Sequence, residues 1–329
     1  MYQKKAVLFL ILKVLEEFTD SEHFLTQQEI ISIIKRRYSL LPERKTVSAN
    51  LNLLSELGYD INYVPKKGYR LLSRDFDASE VRYMIDSIYS SKSLTSKQAR
   101  DLADKLSSLL SKYEKNSYSY LYKSDDISRI GYADLFYNIE IINECMNKGK
   151  RVEFDYFSYD SSGKPVERMK GYTFYVSPYY LVNNYGKYYL ICHYRDKYGP
   201  ISIFKLDHMM NVRISDKDLV PLNKLESPVE DFSIADFINS HVYIFSTKVI
   251  DAKLKLNNLA SNDAIVDWFG KKAKLYEENG VTYAKVRSDE EGLIYWLLQY
   301  GDLVQVEEPK ELKDKVVEKL KSILCKYEE

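Results

Sequence analysis

A chain of 329 residues is too long for one ordinary hydrophobic core, so roughly two or three domains are expected. With 45% hydrophobic and 29% charged residues it has the balance of a soluble globular protein. The 48 Lys and Arg cancel the 48 Asp and Glu, which excludes a global bias toward nucleic acid or membrane and confines any DNA-binding surface to a local patch.

Val7, Leu8, Ile11, Leu12, Leu15 and Phe18 recur at helical spacing and predict a helix over 4–18. The apolar run Ala6–Leu12 after Lys4-Lys5 imitates a signal peptide, but it stops at Lys13 with no cleavage site beyond, so it reads as a buried helix face. Thr26 and Glu29 form a capping box that opens a second helix, with Ile30, Ile33 and Ile34 inward. Pro42 begins a third, which carries Val47, Leu51, Leu54 and Leu57 on one face and stops at Gly58. Tyr59–Val64, the turn Lys66-Lys67-Gly68 and Tyr69–Leu72 read as a hairpin. Three helices and a hairpin over 1–75 are the layout of a winged helix-turn-helix. That stretch holds 12 Lys and Arg against 9 Asp and Glu, an excess in the direction DNA requires.

Two amphipathic helices are predicted at 78–90 and 95–113, and a Ser/Tyr/Lys-rich linker at Lys115–Ser128, which together make a helical connector over 76–133. Another helix spans 134–148. From Arg151 the period falls to two, with Val152, Phe154 and Tyr156 alternating with polar residues. Strands are predicted at Tyr179–Asn183, Lys187–Arg195 and Ile201–Val212, with turns at Asn184–Gly186 and Asp196–Pro200. After a linker-like passage, Pro221–Asp236, the order is strand Val242–Leu256, helix Ala260–Phe269, and a hairpin of Ala273–Glu278 and Val281–Arg287. A helix Ser288–Tyr300, a strand Leu303–Glu307 and a helix Pro309–Tyr327 follow. This β-α-β-β-α-β-α order predicts a split βαβ domain over 221–329.

The stretch 178–212 resembles the WYL domain family. Its Trp-Tyr-Leu run is here Tyr188-Tyr189-Leu190, and its second hallmark is Phe204-Lys205-Leu206-Asp207-His208-Met209. The resemblance implies a Sm-like small β-barrel over 134–220 that senses ligands in a bacterial transcription regulator. Residues 242–327 resemble the extension that follows WYL domains, on their element order and on Lys253-Leu254-Lys255-Leu256, Tyr283-Ala284-Lys285-Val286 and Gly301-Asp302-Leu303-Val304-Gln305-Val306. Arg44-Lys45-Thr46-Val47-Ser48-Ala49 resembles the recognition helix of DeoR-like regulators, with Ser48 and Ala49 where that family carries Tyr and Arg. The fold class is therefore α+β multidomain: winged helix-turn-helix, helical linker, WYL barrel, split βαβ.

With Val47, Leu51 and Leu54 inward, Arg44, Lys45, Ser48 and Asn52 turn outward. Together with Thr46 they are the DNA-reading candidates, because Arg and Lys bond guanine or phosphate and hydroxyls suit either. Lys66, Lys67, Tyr69 and Arg70 are the wing candidates. For the ligand, the resemblance implies Tyr189 and Lys205. Tyr156, Arg168, His193 and Asp207 join them on polar chemistry, a cation among aromatics being suited to a nucleotide or a short single strand. Strand alternation places Lys205 and Asp207 on one face, where a surface ion pair between them is the plainer reading.

His23, His193, His208 and His241 show no metal-ligand spacing, and no Walker A, Gly-x-Gly-x-x-Gly or nucleophile elbow is present, so neither enzyme, metal nor cofactor is expected. Asp125-Asp126 reads as a solvated loop pair. Cys145, Cys192 and Cys325, odd in number and widely spaced, argue for a reducing cytoplasm. The resemblance implies a homodimer on a duplex operator, with a nucleotide or single-stranded nucleic acid as effector. An alternative from the same family is an accessory protein that binds RNA or single-stranded DNA and modulates a phage-defence nuclease.

Overall fold

The computed structural model describes residues 6–117, 134–195, 198–225 and 232–328. Lys4-Lys5, most of the linker Lys115–Ser128 with Asp125-Asp126, the head of the turn Asp196–Pro200 and the middle of Pro221–Asp236 lie outside these. The chain divides into two compact units, residues 1–135 and 136–329.

In the first unit α1 (Val7–Phe18), α2 (Gln27–Tyr38) and α3 (Arg44–Glu56) precede a hairpin of β1 (Ile61–Val64) and β2 (Gly68–Leu71). The apolar stripes meet in one core that includes Ile11, Leu15, Ile30, Ile34, Leu51, Leu54 and Leu71. The capping box forms: the Glu29 carboxylate accepts the Thr26 N–H at 2.7 Å, and Thr26 Oγ1 accepts the Glu29 N–H at 3.3 Å. A reciprocal backbone bridge between Leu25 and Tyr69 fastens the hairpin to the chain entering α2. That bridge requires Gly68, whose φ is +114° and on which a Cβ would sit 2.4 Å from the Leu25 carbonyl oxygen.

α4 (Ala78–Ser90) and α5 (Ser96–Ser107) follow, and the single helix expected over 95–113 is broken. Ser111 caps a separate short α6 (Lys112–Ser117), its N–H bonded to Glu114 Oε2 at 2.8 Å and its Oγ accepting the Glu114 N–H at 3.1 Å. The Ser111 hydroxyl also donates to Asp20 Oδ2 at 2.9 Å, while Asp20 Oδ1 accepts the N–H groups of Glu22 and His23, each at 2.9 Å. His23 stacks on Tyr113 at 3.5 Å. Burial pushes the Asp20 carboxyl up, but its donors win and hold it below the usual range.

All of α7 (Leu135–Lys148) but its first residue belongs to the second unit. A sheet follows of β3 (Lys150–Tyr159), β4 (Pro165–Glu167), β5 (Thr173–Asn184), β6 (Lys187–His193), β7 (Ser202–Lys205) and β8 (Met209–Asp218). Neighbours run β4-β3-β5-β6-β7, and β8 pairs with β3. The expected strand 201–212 is interrupted by a 3-10 turn at Leu206–His208, which separates β7 from β8. Among the described residues no ladder joins β7 to β8, so the expected closed barrel is an open, curled sheet. The curl is visible in the aromatic core: Phe204 on β7 meets Phe154 on β3 at 5.1 Å.

A short α8 (Ile234–Asn239) leads to the last subdomain. There the strand expected from Val242 begins only at Val249, the preceding residues being turn and irregular chain. β9 (Val249–Leu256), α9 (Leu259–Phe269), β10 (Lys274–Glu278), β11 (Val281–Asp289), α10 (Glu290–Gln299), β12 (Val304–Glu308) and α11 (Lys310–Glu328) follow. The sheet order is β10-β11-β9-β12 with every pair antiparallel, a split βαβ connection. Leu254, Val286 and Val306 pack on Ile265, Leu293 and Trp296 of α9 and α10, which cover one face of the sheet.

Two outcomes are expected. Gly68→Ala should destabilise the protein by about 1–3 kcal/mol from its backbone strain, with the Leu25 clash added, seen as a lower denaturation midpoint. The stabilisation from Asp20 is present above the ordinary carboxylate pKa and is lost as pH falls through and below it. Asp20→Asn should lower the midpoint at pH 7 and reduce its fall on acidification.

Candidate nucleic-acid and ligand surfaces

In the first unit three elements converge on one concave surface. Arg44, the first residue of α3, donates from Nε to Gln27 Oε1 at 2.9 Å, and Gln27 Nε2 donates to Tyr69 Oη at 3.2 Å. The start of α2, the start of α3 and strand β2 are thereby linked. They border a cavity of 330 Å³ together with Thr26, Tyr63 and Lys66. Lys66, at φ +69°, stands exposed in the hairpin turn. Lys45 and Asn52 are exposed on α3, and Thr46 and Ser48 are half-buried.

The other two wing candidates turn to a different contact. Lys67 lies over the Phe24 ring at 5.3 Å and Arg70 over the same ring at 4.7 Å. Arg70 also donates to Asn62 Oδ1 at 3.2 Å and to the Ser21 carbonyl, so its donors serve the hairpin itself. Gln27 and Tyr63 are additions to the expected set. Gln27 was legible only as part of a helix start, and its side chain reaches the surface through tertiary packing.

In the second unit the candidates fall into two groups. Tyr156 and Arg168 line a cavity of 610 Å³, joined by Tyr172, Phe174, Tyr194 and Arg195. Tyr172 and Tyr194 share a hydrogen bond at 2.6 Å, and Arg195 Nη2 donates to Tyr172 Oη at 2.5 Å. The Arg195 guanidinium lies 4.9 Å from the Tyr194 ring centroid, and Tyr194 stacks on Tyr198 at 5.6 Å. Burial, then the hydrogen bond with Tyr172, pushes the Tyr194 phenol up to about 12. It therefore stays a neutral ring with a hydroxyl at physiological pH. Among the described residues Arg168 has no ion-pair partner, which leaves its charge available to an anion.

Tyr189 and Lys205 form the second group, directly opposite each other across the β6–β7 ladder. Their face packs on residues 232–244, where Tyr189 is buried with Val182, Ile191, Phe237 and Ile244. Tyr156 bridges the groups: its Oη accepts the Lys205 backbone N–H at 3.2 Å, and burial pushes its phenol up. Asp207 sits in the 3-10 turn, not on a strand face. Its charge reaches Tyr156 and Tyr189, its Oδ1 is buried without a hydrogen bond, and it forms no ion pair with Lys205 among the described residues. His193 is buried, its Nδ1 at 3.2 Å from the Pro200 carbonyl oxygen.

Tyr172, Tyr194 and Arg195 were missed because they lie outside the hallmark runs. The chain's 30 tyrosines are the one sequence signal, and their number does not say which rings converge.

Comparison with known proteins agrees with two parts of this layout. No curated protein matches the chain. Among solved structures, proteasome accessory factor B/C (PafBC) of Arthrobacter aurescens is 15% identical, over 99% of this chain and 49% of that one, with a TM-score of 0.29. The chain thus spans 49% of that protein's length. A CRISPR Cas-related protein is 14% identical, over 98% of this chain and 84% of the other, with a TM-score of 0.39. No helix among the described residues is long and apolar enough to cross a membrane. Residues 137–214 match the WYL domain and residues 248–324 the WCX domain, so the chain carries a WYL domain followed by a WCX domain.

Proposed function

We propose that this protein is a ligand-responsive regulator of transcription, in which a winged helix-turn-helix reads duplex DNA and the WYL domain senses a nucleotide or oligonucleotide. The observation that carries the reading is the Arg44–Gln27–Tyr69 chain of hydrogen bonds, which sets the start of α3 beside the hairpin and its Lys66. With Nε held by Gln27, Arg44 retains both Nη groups, the fork that pairs with guanine O6 and N7 in a major groove. Lys66 on the turn is placed for the adjacent phosphate backbone. A homodimer would offer two such surfaces to a repeated site.

The WYL cavity supports the sensing half. Its Tyr194–Tyr198 stack offers a ring face to a base, and Arg168 and Arg195 offer cations to a phosphate. An effector held there regulates DNA binding only if it prefers one arrangement of the protein over another.

The test is a titration at fixed salt of the full chain with its own upstream duplex. Arg44→Ala should weaken binding roughly 5- to 150-fold, the equivalent of one lost bidentate contact. Lys66→Ala should weaken it more evenly across sequences and reduce the salt slope by about one. Unchanged duplex affinity in the Arg44 variant would overturn the reading, and binding to single strands alone would favour the accessory-factor alternative. For the effector, Tyr194→Ala and Arg168→Ala should abolish the response to a short oligonucleotide while duplex affinity stays intact. Loss in Lys205→Ala alone would move the sensing site to the Tyr189–Lys205 face.

A further inference from the structure

The WCX sheet has one face covered by α9 and α10, and its other face carries an ordered cationic and aromatic pattern that neither the fold nor the WYL cavity uses. The register places open-face residues in rows across the strands. One row is Tyr276, Tyr283 and Lys255, running from β10 through β11 to β9. The next is Lys274, Lys285 and Lys253 in the same order. Beyond it Arg287 stands opposite Asp251.

Like charges directly opposite one another across a ladder destabilise a sheet. Three lysines in one row, in a chain with a formal net charge of zero, are a cost that the fold does not require. Only Lys253 is relieved, by Glu278 at 3.1 Å; Lys274 and Lys285 have no ion-pair partner among the described residues. Glu308 opposes Lys253 from β12, so five cations face three carboxylates, Asp251, Glu278 and Glu308. The two tyrosines stack on each other at 5.8 Å, with Lys253 over Tyr283 at 4.2 Å and Lys285 over Tyr276 at 5.6 Å. Lys253, Lys274, Lys285 and Arg287 also border an open depression of 550 Å³.

We propose that this open face binds single-stranded nucleic acid, with unpaired bases on the Tyr276–Tyr283 platform and the backbone along the lysine row. A four-stranded sheet backed by helices, with aromatics on its free face, presents rings to splayed bases and cations to phosphates. A duplex hides the base faces that the rings would stack on. A second copy of the face, docked about a two-fold axis, would set lysine rows against each other. The site is distinct from the WYL cavity, and the proposal does not depend on how that cavity is filled.

Fluorescence anisotropy of the full chain with a labelled 15-nucleotide oligothymidine tests this. Lys274→Ala with Lys285→Ala should weaken binding and lower the slope of log K against log salt by about 1.4, two phosphate contacts on a single strand. Tyr283→Ala should weaken binding roughly 5- to 150-fold, the equivalent of one stacked base. In a Tyr194→Ala background, which removes binding in the WYL cavity, the lysine and Tyr283 substitutions should still weaken oligothymidine binding. The double lysine variant should keep or raise the melting temperature, since it removes repulsion. Unchanged affinity and slope in the lysine variant would overturn the proposal. So would loss confined to the Tyr194 variant, which would assign the strand to the cavity. Dissociation of an oligomer in the lysine variant, read by sedimentation, would make the face a self-interface and equally refute it. Equal competition by polyglutamate of matched charge would reduce the face to a general polyanion surface, without base stacking.

Discussion

The curl of the WYL sheet is the constraint on which the ligand surface depends. In a flat sheet the two strands between β3 and β7 would hold their side chains about 14 Å apart. Instead Phe204 meets Phe154 edge-on at 5.1 Å, and Phe154 stacks on Phe174 at 5.5 Å. Aromatic pairs of this kind add about 0.5–1.5 kcal/mol each beyond their buried area, so the cluster favours the curl as well as filling it. The antiparallel β5–β6 ladder sets the start of β5 beside the end of β6, and that is how Tyr172 and Tyr194, 22 residues apart, come to share a hydrogen bond. The cavity is the open rim of this aromatic core, and its polarity comes from tyrosine hydroxyls and two guanidinium groups at the edge.

Much of the architecture was legible because local signals agreed with one another. The Thr26–Glu29 box, the stop at Gly58 and the Asn279-Gly280 turn each fix an element boundary by backbone chemistry, and the structure places boundaries there. Failures came where tertiary context overrode pattern. Leu206 continues a strand-like alternation, yet the chain turns at Leu206–His208 to carry β7 around to β8, and no periodicity announces that corner. The helix expected across 95–113 breaks because Ser111 serves both as the cap of α6 and as a donor to Asp20, a partner 91 residues away. The WYL candidates show the same division. Hallmark residues could be named from the sequence, and the ladder does bring Tyr189 and Lys205 together. Their face is covered by Phe237 and Ile244, whose placement no local rule supplies.

Charge shows how a chain with no net bias concentrates cations locally. Its exposed lysines and arginines are divided by their partners. Arg70 is engaged by Asn62 and Ser21, Lys150 by Asp218 and Lys272 by Asp236, and such groups stabilise local structure at little net energy. Lys66, Arg168, Lys274 and Lys285 form no ion pair among the described residues, and each borders a concave or open surface. A cation without an ion-pair partner keeps its full charge for an incoming anion and needs no internal ion pair broken first.

That distinction also separates the energetics of the two surfaces in the second unit. A ligand entering the WYL cavity meets hydroxyls already bonded to one another, Tyr172 to Tyr194 and Arg195 to Tyr172, so it must match or displace that network. Polar rearrangement of this kind favours a ligand of defined shape over one merely of the right charge. An anion reaching the lysine row of the WCX sheet instead removes a repulsion built into the folded state. Its binding should then stabilise the sheet beyond the contacts it makes, and should weaken steeply as salt screens both the repulsion and the attraction. On the proposed reading, the cavity would select an effector by shape and the open sheet would hold a strand with little regard to sequence.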